Sequence, residues 1–268
     1  MSNIYYINTA NQKVDFIEDL PLTNIDDMFS NTFTNVTTDD SITSFKTAIT
    51  NYTLEGDIDV NKFDEASDVF DYDVYANERG RFYIGEYFLF CNIIAVANND
   101  VNLNRKRLKV KLTVTTDFPL WRRELSYTLN QQQIDEKNTG IKMYEYKYPY
   151  IYSNNRSSLS INNDVAISSD VIIRMFGPAV NPFVKIGDII YQIMSSISNS
   201  EYFEINTETK KITKVSSFGT VTNAFMYRSK ERSDFFSKIP PGTVQVTWDG
   251  IDTGELIFIE KRSKPKWL

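Results

Sequence analysis

Arg107-Leu108-Lys109-Val110-Lys111-Leu112-Thr113-Val114 alternates without a break. Its four apolar residues share one face, and its three basic residues and Thr113 share the other. Strict period two of this kind marks a strand buried on one side only. Working outward, Ile4–Ile7 and Lys13–Ile17 flank the polar Asn8–Gln12 as a hairpin would. Arg81–Ala97, after an Arg79-Gly80 turn, reads as one strand in which Gly85 marks a bend or bulge. A helix is predicted over 57–76, capped by Asp59, with Val60, Phe63, Ser67, Phe70 and Val74 as its apolar stripe. Its opposite side carries Glu65, Asp68, Asp71 and Asp73.

Beyond residue 122 the chain reads as nearly all strand. Val171–Met175, Phe183–Met194, Tyr202–Ile205, Lys211–Val215, Thr243–Trp248 and Glu255–Glu260 are short runs divided by turns. Many short strands at this spacing predict a sandwich or barrel. The class is mainly β with one helix. Charge and proline usage divide the chain. Residues 1–122 hold 19 acids and 11 bases, net −8, whereas 123–268 hold 16 and 18, net +2. Only Pro21 precedes Pro119, and six prolines follow it. Two domains are therefore expected, 1–122 and 123–268, meeting near Thr116-Asp117-Phe118-Pro119-Leu120-Trp121.

Composition excludes much chemistry. The 268 residues include no histidine and one cysteine. Without His, the usual general base near neutral pH and the commonest metal ligand are missing, and with them Ser-His or Cys-His nucleophiles. Cys91 alone cannot form an internal disulfide. A net charge of −6 argues against a general nucleic-acid binder. No glycine-rich phosphate loop, dinucleotide fingerprint or nucleophile elbow is present. No catalytic residue, cofactor or metal is expected, and the chain is not read as an enzyme. The N-terminus shows no basic and apolar targeting pattern, and the longest apolar stretch, Tyr87–Ala97, is about half a membrane span. A soluble protein made in a cytoplasm, without membrane insertion, is the expectation.

Three features carry candidate function. Residues 55–78 contain nine acids against Lys62 alone, which is either a solvated helix face or a docking surface for a basic partner. Within it, Asp57-Ile58-Asp59-Val60-Asn61 imitates the start of a calcium loop, but Lys62 replaces the required Gly and Asp68 the bidentate Glu. Arg105-Lys106-Arg107 with Lys109 and Lys111 is the only basic run. It is read as pairing with acids of its own domain or of a neighbouring copy. Finally, Tyr144, Tyr146, Tyr148, Tyr150 and Tyr152 occupy every second position. If extended, their rings line one side over about 26–27 Å, either packed against another element or subunit or free to stack sugars or bases.

The order of several motifs resembles the distal tail proteins of long-tailed bacteriophages. The N-terminal part of the match is Asp71-Tyr72-Asp73, then Gly80-Arg81-Phe82, Gly85-Glu86-Tyr87-Phe88-Leu89-Phe90-Cys91 and Thr116–Trp121. The denser C-terminal part runs through Tyr144–Tyr152, Ile172-Ile173-Arg174-Met175-Phe176-Gly177-Pro178, Asn181-Pro182, Glu201–Asn206, Ile239-Pro240-Pro241-Gly242 and Arg262–Trp267. The resemblance implies an N-terminal β-barrel-like domain with a helix that assembles into a hexameric ring, and a galectin-like C-terminal β-sandwich. It also implies a place at the virion tail tip, joining the major tail tube protein to the tail-associated hub or lysin protein. Receptor-binding proteins often sit at the rim of such rings. Some members grip them with a long arm, for which 123–268 has no spare length. Phage-tail-like bacteriocins carry related proteins.

On this basis Asp64, Glu65, Asp68 or Asp71 of one copy is expected to meet Arg105, Arg107, Lys109 or Lys111 of the next. The alternative is a carbohydrate-binding module or cell-wall adhesin working through the tyrosines of the sandwich. Fold alone does not supply that function.

Overall fold

The structure is a computed structural model that describes residues 3–30, 33–38, 41–102, 107–130, 157–165, 167–230 and 235–266. It divides into two compact units: Met1–Arg123 with Lys261–Leu268, and Glu124–Glu260. The sequence reading ran the second domain on to residue 268. The segment Lys261–Leu268 instead belongs to the first unit, where the Lys261 ammonium lies 5.6 Å from the Phe118 ring centre. Pro265 is buried there as well.

Unit 1 runs β1 (Ile4–Ile7), β2 (Lys13–Asp15), β3 (Leu22–Asn24), β4 (Phe33–Thr38), β5 (Ser41–Thr47), β6 (Thr50–Asp59), α1 (Val60–Ala76), β7 (Gly80–Ile84), β8 (Tyr87–Asn102), β9 (Arg107–Thr116) and the start of β10 (Trp121–Asn130). Its strands pair antiparallel in the order β2-β1-β7-β8. The first half of β8 bonds β7, and the second half bonds β9, which leads on to β6 and β3. β4 and β5 form a separate hairpin. The described strands make open sheets that do not close into a barrel.

The alternation that opened the reading holds: Leu108, Val110, Leu112 and Val114 are buried, and Arg107, Lys109 and Lys111 are exposed. They join Tyr6, Phe16, Leu54, Phe82, Leu89, Cys91 and Trp121 in one core. The expected single strand 81–97 is two. Gly85, at φ 60°, begins the two-residue turn that folds β8 back on β7, with Ile84 opposite Tyr87. A positive φ is open to Gly at no steric cost, which is what such hairpin turns need.

Unit 2 continues β10 and adds β11 (Ser157–Asn163), β12 (Asp170–Phe176), β13 (Ala179–Val180), β14 (Phe183–Ile186), β15 (Ile189–Gln192), β16 (Ser196–Ile197), β17 (Tyr202–Asn206), β18 (Lys211–Val215), β19 (Val221–Asn223), β20 (Gly242–Asp249) and β21 (Thr253–Arg262). Strands β19-β18-β17-β12-β21-β10 form one sheet and β11-β20-β14-β15 another. Between the two sheets lies a shared core. Val171, Ile173, Met175, Phe203 and Phe258 come from the first, and Ile161, Val184, Tyr191, Val246 and Trp248 from the second. This is a sandwich, as the spacing of short strands predicts. Gly187, at φ 59°, splits the expected strand 183–194 just as Gly85 splits the earlier one.

Candidate assembly surfaces

Helix α1 buries a different stripe from the one predicted. Ala66, Phe70 and Asp73 are buried and Phe63 packs at the edge of the core, whereas Val60 and Val74 are exposed. The Phe70 ring lies against Tyr6 at 5.5 Å and Phe16 at 6.3 Å, so the helix covers the inward side of β1. Asp73, expected among the solvated acids, has no exposed surface. It accepts hydrogen bonds from the Tyr6 hydroxyl at 2.5 Å and from the Thr9 amide and hydroxyl at 2.9 and 2.6 Å. A buried carboxylate is tolerated only when its oxygens are satisfied in this way. Burial, followed by the bond to Asp73, holds the Tyr6 hydroxyl well above the ordinary tyrosine range.

Gly80 completes the arrangement. A methyl group at that position would overlap the Tyr6 hydroxyl and the Asp73 carboxylate. Gly80 also pairs with Cys91 across β7 and β8. Cys91 is fully buried, and burial pushes its thiol far above the usual value, so it is a small core residue.

The remaining acids of α1 stay outward. Asp64, Glu65, Asp68 and Asp71 are all exposed, beside Tyr72 and a Tyr75 that is 88% exposed. The basic strand is matched within its own sheet. Glu55, Asp57 and Asp59 of β6 stand directly opposite Lys111, Lys109 and Arg107. Arg107 donates through Nε to Asp57 Oδ1 and through Nη2 to the Asp57 carbonyl, both at 2.9 Å. Of the two partners foreseen for this strand, its own domain supplies one. The calcium-like stretch spans the end of β6 and the start of α1, not a loop. Arg105 lies outside the described residues, and so do Tyr144, Tyr146, Tyr148, Tyr150 and Tyr152.

The sequence reading missed the outward face of β2-β1-β7-β8-β10. Tyr6, Phe82, Leu89 and Trp121 point into the core, so their strand neighbours Tyr5, Arg81, Tyr83, Phe88, Phe90 and Arg122 turn the other way. Tyr5 stacks on Tyr83 at 4.6 Å, Tyr83 meets Phe88 at 5.4 Å, and Phe88 meets Phe90 at 5.2 Å. Cations lie over these rings: Lys13 over Tyr5 at 4.5 Å, and Arg81 and Arg122 each over Phe88 and Phe90 at 5.4–5.9 Å. At the rim a cavity of about 190 Å³ is lined by Ile7, Asn8, Thr9, Asn11, Arg79, Arg81 and Phe90. Run 87–91 is apolar throughout, which hides the alternation. The outward pair Arg81 and Tyr83, flanking Phe82, was the available signal.

In unit 2, Arg174 of β12 bridges the adjacent strands, donating at 2.8 Å to both Glu204 of β17 and Glu255 of β21. The Ser126 hydroxyl donates to the other Glu255 oxygen at 2.6 Å. The Ser126 bond first, and Arg174 next, hold the Glu255 carboxyl below its ordinary range. A depressed carboxylate stabilises the fold above its unfolded pKa, and that stabilisation drains as pH falls through the folded value. Unit 2 should therefore lose stability below about pH 4. Glu255→Gln should flatten this acid limb of a thermal-melt series, and unchanged curvature would remove the role assigned to Glu255.

No family model and no curated protein matches the sequence. Solved structures match at the level of fold. The chain superposes on the Dit (gp 19.1) protein of SPP1, described as a paradigm of the hub adsorption apparatus in Gram-positive-infecting phages. The TM-score is 0.58 at 9% identity, over 98% of this chain and 99% of that one. The chain has the Dit fold. Chains of the phage P2 baseplate in its activated conformation agree. The calcium form gives 0.59 at 14% identity and the strontium form 0.57 at 13%, each over 98% and 99% of the two chains. The distal-tail resemblance carried by the ordered motifs thus has its counterpart in a Dit fold that spans both units.

Proposed function

We propose that this protein is a structural, non-enzymatic hub of a phage tail tip, a distal tail protein working in the virion. The observation that carries this reading is the coverage: 98% of this chain aligns with 99% of the SPP1 Dit protein, so both units match together. A single shared sandwich would say little, since such folds host many functions. Two units matched in the same chain order are harder to obtain by chance. The finer parts of the reading follow the resemblance. Unit 1 assembles with further copies into a closed hexameric ring, and unit 2 projects from it as a galectin-like domain. The ring joins the tail tube to the tail-associated hub or lysin protein and offers a rim to receptor-binding proteins.

Mass measurement of the purified protein, followed by electron microscopy, tests this directly. A closed ring of six copies is expected. A strict protomer at high concentration would sink the hub reading.

A further inference from the structure

We propose that the arginine–aromatic sheet face of unit 1 receives the acidic face of α1 from the next copy of this chain. This rests on the hub reading and supplies the interface that the reading needs. Two observations choose the pair. The sheet face presents an exposed Arg81 among the half-buried rings of Tyr5, Tyr83 and Phe90, over a buried Phe88, and Tyr, Phe and Arg are side chains that anchor protein interfaces. Among the described residues its exposed bases are Arg81 and Lys13, and Lys13 holds Asp15 at 3.0 Å, while Arg122 shares its side of β10 with Glu124. The α1 face presents the opposite sign: Asp64, Asp68 and Asp71 at i, i+4 and i+7, with the ring of Tyr75 at i+11 left in water. Lys62 is the only base in the helix.

Strand β9 is the weaker receiver. Its three bases already face three acids in register on β6, so that surface carries little net charge. The sheet face is also continuous with the rim cavity through Arg81 and Phe90, which gives an entering aromatic or carboxylate side chain a place to be enclosed.

Geometry then dictates how copies associate. Phe70 and Asp73 of α1 contact Tyr6 and Phe16 from the inward side of the sheet, whereas Tyr5, Arg81, Phe88 and Phe90 lie on its outward side. The two charged surfaces therefore stand on opposite sides of one unit. A surface paired with its own copy would meet like charge, so a two-fold contact is disfavoured. Head-to-tail contact satisfies every surface, and head-to-tail contacts that close make a ring.

Two full-length variants test the pairing. One carries Arg81→Glu and Arg122→Glu, the other Asp68→Lys and Asp71→Lys. Each alone should need a roughly thirtyfold or higher concentration to assemble. Mixed in equal amounts they should recover rings in which the variants alternate, because each altered surface then meets its complement. The helix substitutions sit on exposed positions and leave the core untouched. If the sheet variant exposes Cys91 to thiol reagents, and so is misfolded, Arg81→Glu alone replaces it. Rings from the parent that persist in the helix variant, or a mixture that fails to recover them, would overturn this interface while leaving the hub reading in place. A parent protein that never assembles would overturn both.

Discussion

Replacing Gly80 by Ala should destabilise unit 1 by about 2–4 kcal/mol and raise the thiol-labelling rate of Cys91 roughly 30- to 700-fold. The added methyl meets the Tyr6 hydroxyl and the Asp73 carboxylate, neither of which can retreat into water. Either β7 shifts away from β1, or the Tyr6–Asp73 bond opens and leaves a buried charge under-satisfied. Both outcomes fall on the region that shields Cys91, which pairs with Gly80 itself. As the only cysteine, Cys91 reports on opening of this unit without an added probe. Serine would be no milder, because any Cβ makes the same overlap. Labelling at the parental rate would mean that the site relaxes, and that Gly80 is not required for its lack of a side chain.

Gly177→Ala should do the equivalent in unit 2, again at about 2–4 kcal/mol. The methyl would fall on the carbonyl group of Ser198, with the Ile197 side chain at 3.0 Å. A backbone group cannot swing aside as a flexible side chain does. The Gly177 amide also donates to the Glu201 carbonyl at 2.9 Å, which ties this segment to the entry of β17. Amide hydrogen exchange in β12 and β17 should accelerate while Cys91 labelling stays at its parental rate. The two glycine variants thus serve as controls for each other. Acceleration of both exchange in β12 and β17 and labelling of Cys91 in either variant would show that the units open as one.

Both glycines belong to the ordered motifs, and the structure supplies their physical reason. They are needed for close approach, not for an unusual φ. Other features were legible from local rules. The strand 107–114 could be read because burial on one side writes itself as alternation. The sandwich could be read from the spacing of short strands. Gly85 and Gly187 were visible as breaks, but telling a bulge from a hairpin turn requires the pairing register, which no single strand contains. Asp73 was misplaced because a carboxylate on a helix is solvated by default, and its burial depends on Tyr6 and Thr9, more than sixty residues away in sequence. The outward aromatic face was missed for a related reason: where both faces of a strand are apolar, periodicity cannot say which one is the core. Nor does anything in Lys261–Pro265 mark which unit it joins, since packing partners for a terminal segment are chosen by tertiary structure.

That last assignment bears on biosynthesis. The polypeptide leaves unit 1 after Arg123 and returns to it at Lys261, so the second unit is an insertion within the first. A ribosome must finish translating the whole insertion before the first unit receives its closing segment. Any nonsense codon or proteolytic loss before Lys261 removes that segment too. Products that stop short of Lys261 therefore lack part of the first unit as well as part of the second.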